Sequence, residues 1–135
     1  MNVGITIEQC MSASFVSFTP STPVVEAAAA LVKNELLGGP VVDEKGQLMG
    51  WISEQDCLKT VIQVLYFSER VANVSDIMQT NVLTVTLSDN LIDVATRMLG
   101  QKPKIYPVIN GNNKVLGVVS RRRILREMCK HIAKS

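Results

Sequence analysis

Residues 40–56 come back 67 positions later. The first copy runs Pro40-Val41-Val42-Asp43-Glu44-Lys45-Gly46-Gln47-Leu48-Met49-Gly50-Trp51-Ile52-Ser53-Glu54-Gln55-Asp56. The second runs Pro107-Val108-Ile109-Asn110-Gly111-Asn112-Asn113-Lys114-Val115-Leu116-Gly117-Val118-Val119-Ser120-Arg121-Arg122-Arg123. The register carries outward without a gap: Met11 falls on Met78, Val24 on Leu91, Glu26 on Asp93, Ala28 on Ala95, Leu31 on Met98 and Leu58 on Leu125. A period this long with matched chemistry means two copies of one supersecondary unit. Each copy is too small to bury a good core alone, so residues 1–67 and 68–135 are expected to pack together as one module.

The rest of the composition narrows the class. No apolar run approaches the roughly 18 residues that a membrane span needs. Met1-Asn2-Val3-Gly4 has no basic segment followed by an apolar core, so it does not read as a signal peptide, and a cytoplasmic protein is expected. Cys10, Cys57 and Cys129 are an odd number without C-x-x-C spacing. Cys10 aligns with Ile77 and Cys57 with Ile124, which marks both as core positions filled by a small apolar thiol. His131 is the only histidine, so no zinc site is expected.

Within each copy the pattern reads strand, helix, strand, strand, helix. Ile7, Cys10 and Met11 suit a short helical turn in the lead-in, and Phe15–Phe18 reads as a strand. Thr22 as N-cap and Pro23 as first residue would start a helix with Val24, Ala28, Leu31, Val32 and Leu36 on one face, ended by Gly38-Gly39. Residues 40–52 form a hairpin about the Asp43–Gly46 turn. Gly50 interrupts its second arm and recurs as Gly117, which signals a bulge or the close approach of another group. Ser53 opens a helix whose apolar residues are Cys57, Leu58, Val61, Ile62 and Leu65. The second copy repeats these elements: lead-in 76–78, strand 82–85, helix 89–99, hairpin 105–119 and helix 124–133. The class is α/β, with helices packed on two small sheets.

These residues carry a resemblance. Asp76-Ile77-Met78, then strand and helix, then Pro107-Val108-Ile109 and Gly117-Val118-Val119-Ser120, resemble the cystathionine-β-synthase (CBS) domain. Cys10-Met11, Pro40-Val41-Val42-Asp43, Gly50-Trp51-Ile52-Ser53 and Asp56 are the matching run in the first copy. Two copies in tandem, over about residues 7–130, look like a CBS pair, or Bateman module. The resemblance implies tandem β-α-β-β-α repeats related by a pseudo-two-fold axis. It also implies clefts between the copies that often bind adenosine nucleotides, and homodimers formed through helices.

In the family pattern a Ser/Thr-x-x-Asp at the end of the hairpin presents its carboxylate to the ribose. Vicinal hydroxyls are two donors, and a carboxylate can accept both. Ser53-Glu54-Gln55-Asp56 keeps the motif, whereas Ser120-Arg121-Arg122-Arg123 puts a guanidinium, which has no acceptor, in place of the aspartate. The two sites should therefore be unequal, the Arg123 site being empty or turned to an anionic group. Ser-x-x-Asp before an apolar helix is also a capping box, so Asp56 has two readings that one carboxylate serves incompletely. Carried further, the pattern places the purine near Trp51, Gln55, Asn81, Leu83 and Ile105. Lys104, Ser120, Arg121, Arg122 and Arg123 are the candidates for phosphate contact, against a solvated surface role.

Charge supplies a rival. Residues 121–135 hold Arg121, Arg122, Arg123, Arg126, Lys130 and Lys134 against Glu127, leaving eight basic and eleven acidic residues elsewhere. A basic C-terminal helix invites a nucleic-acid reading, but the aromatic interleaving of a single-strand binder is missing there. Catalysis has less support still, without a P-loop, an H-E-x-x-H, or a second histidine. The expectation is a non-catalytic regulatory module sensing AMP, ADP, ATP or S-adenosylmethionine, requiring no cofactor, homodimeric, and read by an unidentified effector. The alternative is a ligand-free homodimerisation scaffold.

Overall fold

The computed structural model describes residues 3–68, 70–101 and 103–134. Met1 and Asn2 of the N-terminal reading, and Ser135 at the end of the basic helix, lie outside the described residues. The elements in chain order are α1 (Ile7–Cys10), β1 (Met11–Ser12), α2 (Val24–Lys33), β2 (Gly38–Val42), β3 (Leu48–Ser53), α3 (Glu54–Phe67), α4 (Val74–Ile77), α5 (Leu91–Arg97), β4 (Ile105–Ile109), β5 (Val115–Ser120) and α6 (Arg121–Ala133). The α/β class holds, with antiparallel pairing in both sheets, ordered β2-β3 and β1-β5-β4.

Two compact units form, and they do not coincide with the sequence repeats. One is Val16–Val82; the other joins Met1–Phe15 to Leu83–Ser135. Each hairpin therefore takes its lead-in from the other repeat.

In the Val16–Val82 unit, the β2-β3 hairpin turns on Asp43, whose carboxylate accepts from the Lys45 and Gln47 amides at 2.9 Å each. Gly46 takes the left-handed conformation there, at φ +80°. A register shift at Val41/Val42 bends the pair. The core is Phe18, Val24, Ala27, Leu31, Val41, Ile52, Cys57 and Val74. α4 arrives from the second repeat with a complete capping box, Asn73 with Asp76, and the following Gln79 bridges to Trp51 of β3.

The Met1–Phe15 and Leu83–Ser135 unit repeats this plan. Asn110 plays the part of Asp43, accepting from Asn112 and Lys114 amides, and Asn113 takes the left-handed position at φ +62°. Its core is Ile7, Cys10, Val85, Leu91, Val94, Met98, Tyr106, Val108, Val119 and Ile124. α1, boxed by Thr6 and Gln9, leads into β1, which pairs Met11 with Val119 and Ser12 with Val118.

Gly50 and Gly117 are where the lead-ins press in. A Cβ on Gly50 would lie 2.7 Å from the Gln79 carbonyl and 2.8 Å from Met78 Sδ. One on Gly117 would lie 2.5 Å from both the Ser12 carbonyl and Met11 Cγ. The recurring glycine thus marks close approach and also borders the bulge: Val41 pairs with Gly50 but Val42 with Leu48, leaving Met49 as the extra residue of β3, and Leu116 stands likewise beside Gly117 in β5.

Four expectations are corrected. The first strand of each copy is a single parallel bridge, Phe18 to Val41 and Val85 to Val108. Phe18 donates to the Pro40 carbonyl and Val85 to the Pro107 carbonyl, but neither proline has an N–H for the next rung toward Val16 or Leu83. Second, Gly38-Gly39 do not stop α2. The helix ends at Lys33 with Glu35 left-handed (φ +54°), and both glycines are in β2, where a Cβ on Gly38 would lie 2.5 Å from the Trp51 indole nitrogen. Third, α2 buries Val24, Ala27 and Leu31, with Ala28 and Leu36 partly buried against the same core, while Val32, about 100° further round the helix than Leu31, is 71% exposed. Fourth, helix starts shift by one to three residues, the largest shift being α6, which Ser120 caps so that it begins at Arg121 rather than Ile124. Pro23 is the N-cap of α2 while Thr22 closes a turn with Thr19, and α5 begins after Asn90 because Asp89 accepts from Thr86.

Candidate functional site

Asp56 and Arg123, 67 positions apart, occupy the same place in their units and do opposite things. Each follows a strand-end serine that caps the next helix. Ser53 Oγ accepts from the Asp56 amide at 3.1 Å, and Ser120 Oγ from the Arg123 amide at 3.2 Å. The residue after each serine is pinned alike, Glu54 N–H to the Leu37 carbonyl and Arg121 N–H to the Lys104 carbonyl, both 2.8 Å.

Their side chains then diverge. Asp56 does not complete the capping box seen at Thr6/Gln9 and Asn73/Asp76. Its Oδ2 accepts from Gln79 Nε2 at 3.1 Å, so the carboxylate, half-buried, faces the lead-in. The serine's half of the cap forms and the acid's half is released for another partner. Trp51, 7% exposed, exchanges both backbone hydrogen bonds with Gln79, at 2.8 and 2.9 Å, which sets Gln79 beside the helix start. Thr60 Oγ1 donates to the Asp56 carbonyl and closes the first turn of α3.

Arg123 Nε donates to the Cys10 carbonyl at 3.0 Å and Nη2 to the Met11 carbonyl at 3.3 Å. The guanidinium thus satisfies carbonyls left open where α1 ends, the orientation a helix C-terminus favours. The arginine is a tie within its own unit. The wider basic segment is also engaged internally, with Arg126 and Lys130 each 3.4 Å from Glu127. Such exposed pairs contribute little to stability, yet they lower the charge this face presents.

Of the other residues singled out by sequence, Ser53, Trp51, Gln55, Asp56 and Asn81 belong to the Val16–Val82 unit, with Gln55 and Asn81 exposed. Leu83, Lys104, Ile105, Ser120, Arg121 and Arg122 belong to the other unit; Leu83, Lys104 and Arg122 are exposed there. An open depression of about 520 Å³ in the Val16–Val82 unit is lined by Thr19, Ser21, Asp43, Lys45 and Met49 among others, and by none of the expected site residues. Gln79 was missed by sequence reasoning: it aligns with Ser12, and no motif flags it. Among the described residues no cluster of His, Cys, Asp or Glu could hold a metal, and no helix is long and apolar enough to cross a membrane.

A twice-repeated α/β unit with a capping serine at each hairpin's end is the architecture of a CBS pair. The CBS domain family model matches residues 7–63 and 74–130, and the chain belongs to that family. Among curated proteins it is similar to CBSX1 of Arabidopsis thaliana, named as chloroplastic, at 30% identity over 79% of this chain and 56% of that one. The chain thus spans about half the length of that relative. Among solved structures it resembles CBSX2 in complex with AMP, at 28% identity and TM-score 0.82 over 94% of this chain and 98% of the other. It also resembles the CBS pair of MJ0100 in complex with 5′-methylthioadenosine and S-adenosylmethionine, at 25% identity and TM-score 0.79 over 93% and 97%.

Proposed function

We propose that the chain is a non-catalytic sensor module that binds an adenosine-containing compound through its ribose, with Asp56 and Ser53 as the ribose contacts. The observation that carries this is the Asp56 carboxylate, held at a helix start and released from capping duty. Relatives crystallised with AMP and with S-adenosylmethionine support the ligand class. Trp51, Gln55 and Asn81 are proposed to border the purine from the same unit. The family pattern alone extends the list to Leu83, Ile105 and Lys104. We assign one site per chain, because Arg123 is committed to the Cys10 and Met11 carbonyls.

Isothermal titration with AMP, ADP, ATP and S-adenosylmethionine tests this. Saturable binding near one site per chain is expected, weakened roughly 10- to 100-fold in Asp56→Ala, the size of losing charge-assisted hydrogen bonds. No heat from any compound, in folded protein free of co-purified nucleotide, would leave a ligand-free scaffold as the better account.

Binding can shift the module only by its differential affinity for two states, and an effector protein would read that shift. The helices supply a surface for self-association. In α3, Cys57 faces the core while Leu58, Ile62 and Leu65 are 59%, 44% and 75% exposed. In α6, Ile124 is buried while Leu125 and Ile132 are exposed. These outward residues fit a homodimer in the cytoplasm. Sedimentation at micromolar concentration should return twice the chain mass; a monomer would refute the dimer.

A further inference from the structure

The donor that reaches Asp56 Oδ2 is the Gln79 amide, at 3.1 Å. We propose that Gln79 is a built-in competitor for this carboxylate, standing in for a ribose hydroxyl in the free protein and giving way when a ligand binds. The inference rests on the adenosine reading above and adds a residue that sets its affinity.

Three features make the contact exchangeable. The Gln79 backbone is fixed, its N–H on the Trp51 carbonyl and its carbonyl on the Trp51 N–H, so only the side chain need move. Gln79 is exposed, so water replaces the carboxylate when the amide swings away, and the net loss is small. Both ribose hydroxyls and the amide are neutral donors competing for the lone pairs of one carboxylate.

The other unit shows what a permanent version looks like. There the Asp56 equivalent, Arg123, donates to two main-chain carbonyls, those of Cys10 and Met11, so two hydrogen bonds must break together before its side chain can leave. The Gln79 equivalent, Ser12, donates instead to the Ser14 carbonyl at 2.8 Å. The exchangeable donor is thus found opposite Asp56 and not opposite Arg123.

Calorimetric titration of wild type, Gln79→Ala, Gln79→Met and Asp56→Ala with AMP, then with the other three compounds, decides the matter. Both Gln79 variants lack the donor, and methionine keeps the chain length if alanine disturbs the fold. Each should bind about 2- to 10-fold tighter than wild type, the net worth of one exposed hydrogen bond. The wild-type Gln79 side-chain amide resonance should also move on saturation. Unchanged affinity in both variants would overturn the competitor while leaving the Asp56 site intact. Weaker binding would overturn it too, by making Gln79 a ligand contact. Silence from all four compounds with every protein would sink the adenosine reading and this inference together.

Discussion

Alanine at Gly117 is expected to destabilise the chain by about 3 kcal/mol, the upper part of the range for forcing extra atoms into a filled site. The added methyl would lie 2.5 Å from Met11 Cγ and from the Ser12 carbonyl oxygen, and 2.8 Å from Met11 Sδ. The methionine can rotate aside. The carbonyl cannot, because β1 is held on β5 through the Met11–Val119 and Ser12–Val118 pairs. The lead-in must peel away, and α1 with its fully buried Ile7 and Cys10 would follow. At roughly 4 °C per kcal/mol for a domain of this size, the thermal midpoint should fall by about 12 °C. Gly111→Ala is the control: nothing lies within 4 Å of the added methyl, and a change below about 0.5 kcal/mol is expected. Melting curves by circular dichroism compare the two, and a Gly117→Ala midpoint equal to the control would refute the close-approach account.

Arg123→Ala should cost about 2 kcal/mol, since two hydrogen bonds from a charged donor are lost and two carbonyls are left without it. The loss should appear as local opening of the lead-in rather than a uniform weakening. Cys10 reports it. Burial is the main cause pushing its thiol above the ordinary range, with Glu127 adding to the rise and Arg123 and Arg126 opposing it. The Cys57 thiol is likewise pushed up by burial, and Cys129 is exposed. An alkylating reagent should therefore label Cys129 alone in wild type, and Cys129 with Cys10 in Arg123→Ala. Losing Arg123 removes an effect that favoured the Cys10 thiolate, so faster labelling there can come only from opening. Arg123→Lys should be intermediate, because an ammonium lacks the planar fork that serves both carbonyls. Equal Cys10 labelling in all three proteins would show that Arg123 does not hold the lead-in.

Much of the local structure around Asp56 and Arg123 is legible in the sequence. The 67-residue offset matched the hairpins, and capping chemistry put Ser53 at a helix start, where its equivalent Ser120 also stands. The alignment of Cys10 with Ile77 and of Cys57 with Ile124 led to core positions for both thiols. The turns at Asp43 and Asn110 follow from side chains that bond to their own backbone. These features depend on neighbours within a few residues, which is why a linear pattern carries them. The missing first strands were written there as well, in Pro40 and Pro107; only their position opposite the bridge shows which rung they remove.

The side-chain partners of Asp56 and Arg123 lie elsewhere in the chain. Gln79 meets Asp56 across 23 residues, and Arg123 meets Cys10 across 113. Identical Ser-x-x spacing left Asp56 readable as a cap or as a ligand carboxylate; in the folded chain its carboxylate accepts from Gln79, which no local rule selects. Sequence alone was enough for the duplication, the local elements and the inequality of Asp56 and Arg123, because residue type limits each to accepting or donating. Folding assigned the partners, since the lead-in of each repeat crosses to the other repeat's hairpin. Hydrogen-bond complementarity is a property of atoms brought within about 3 Å, and only the packed chain brings these together.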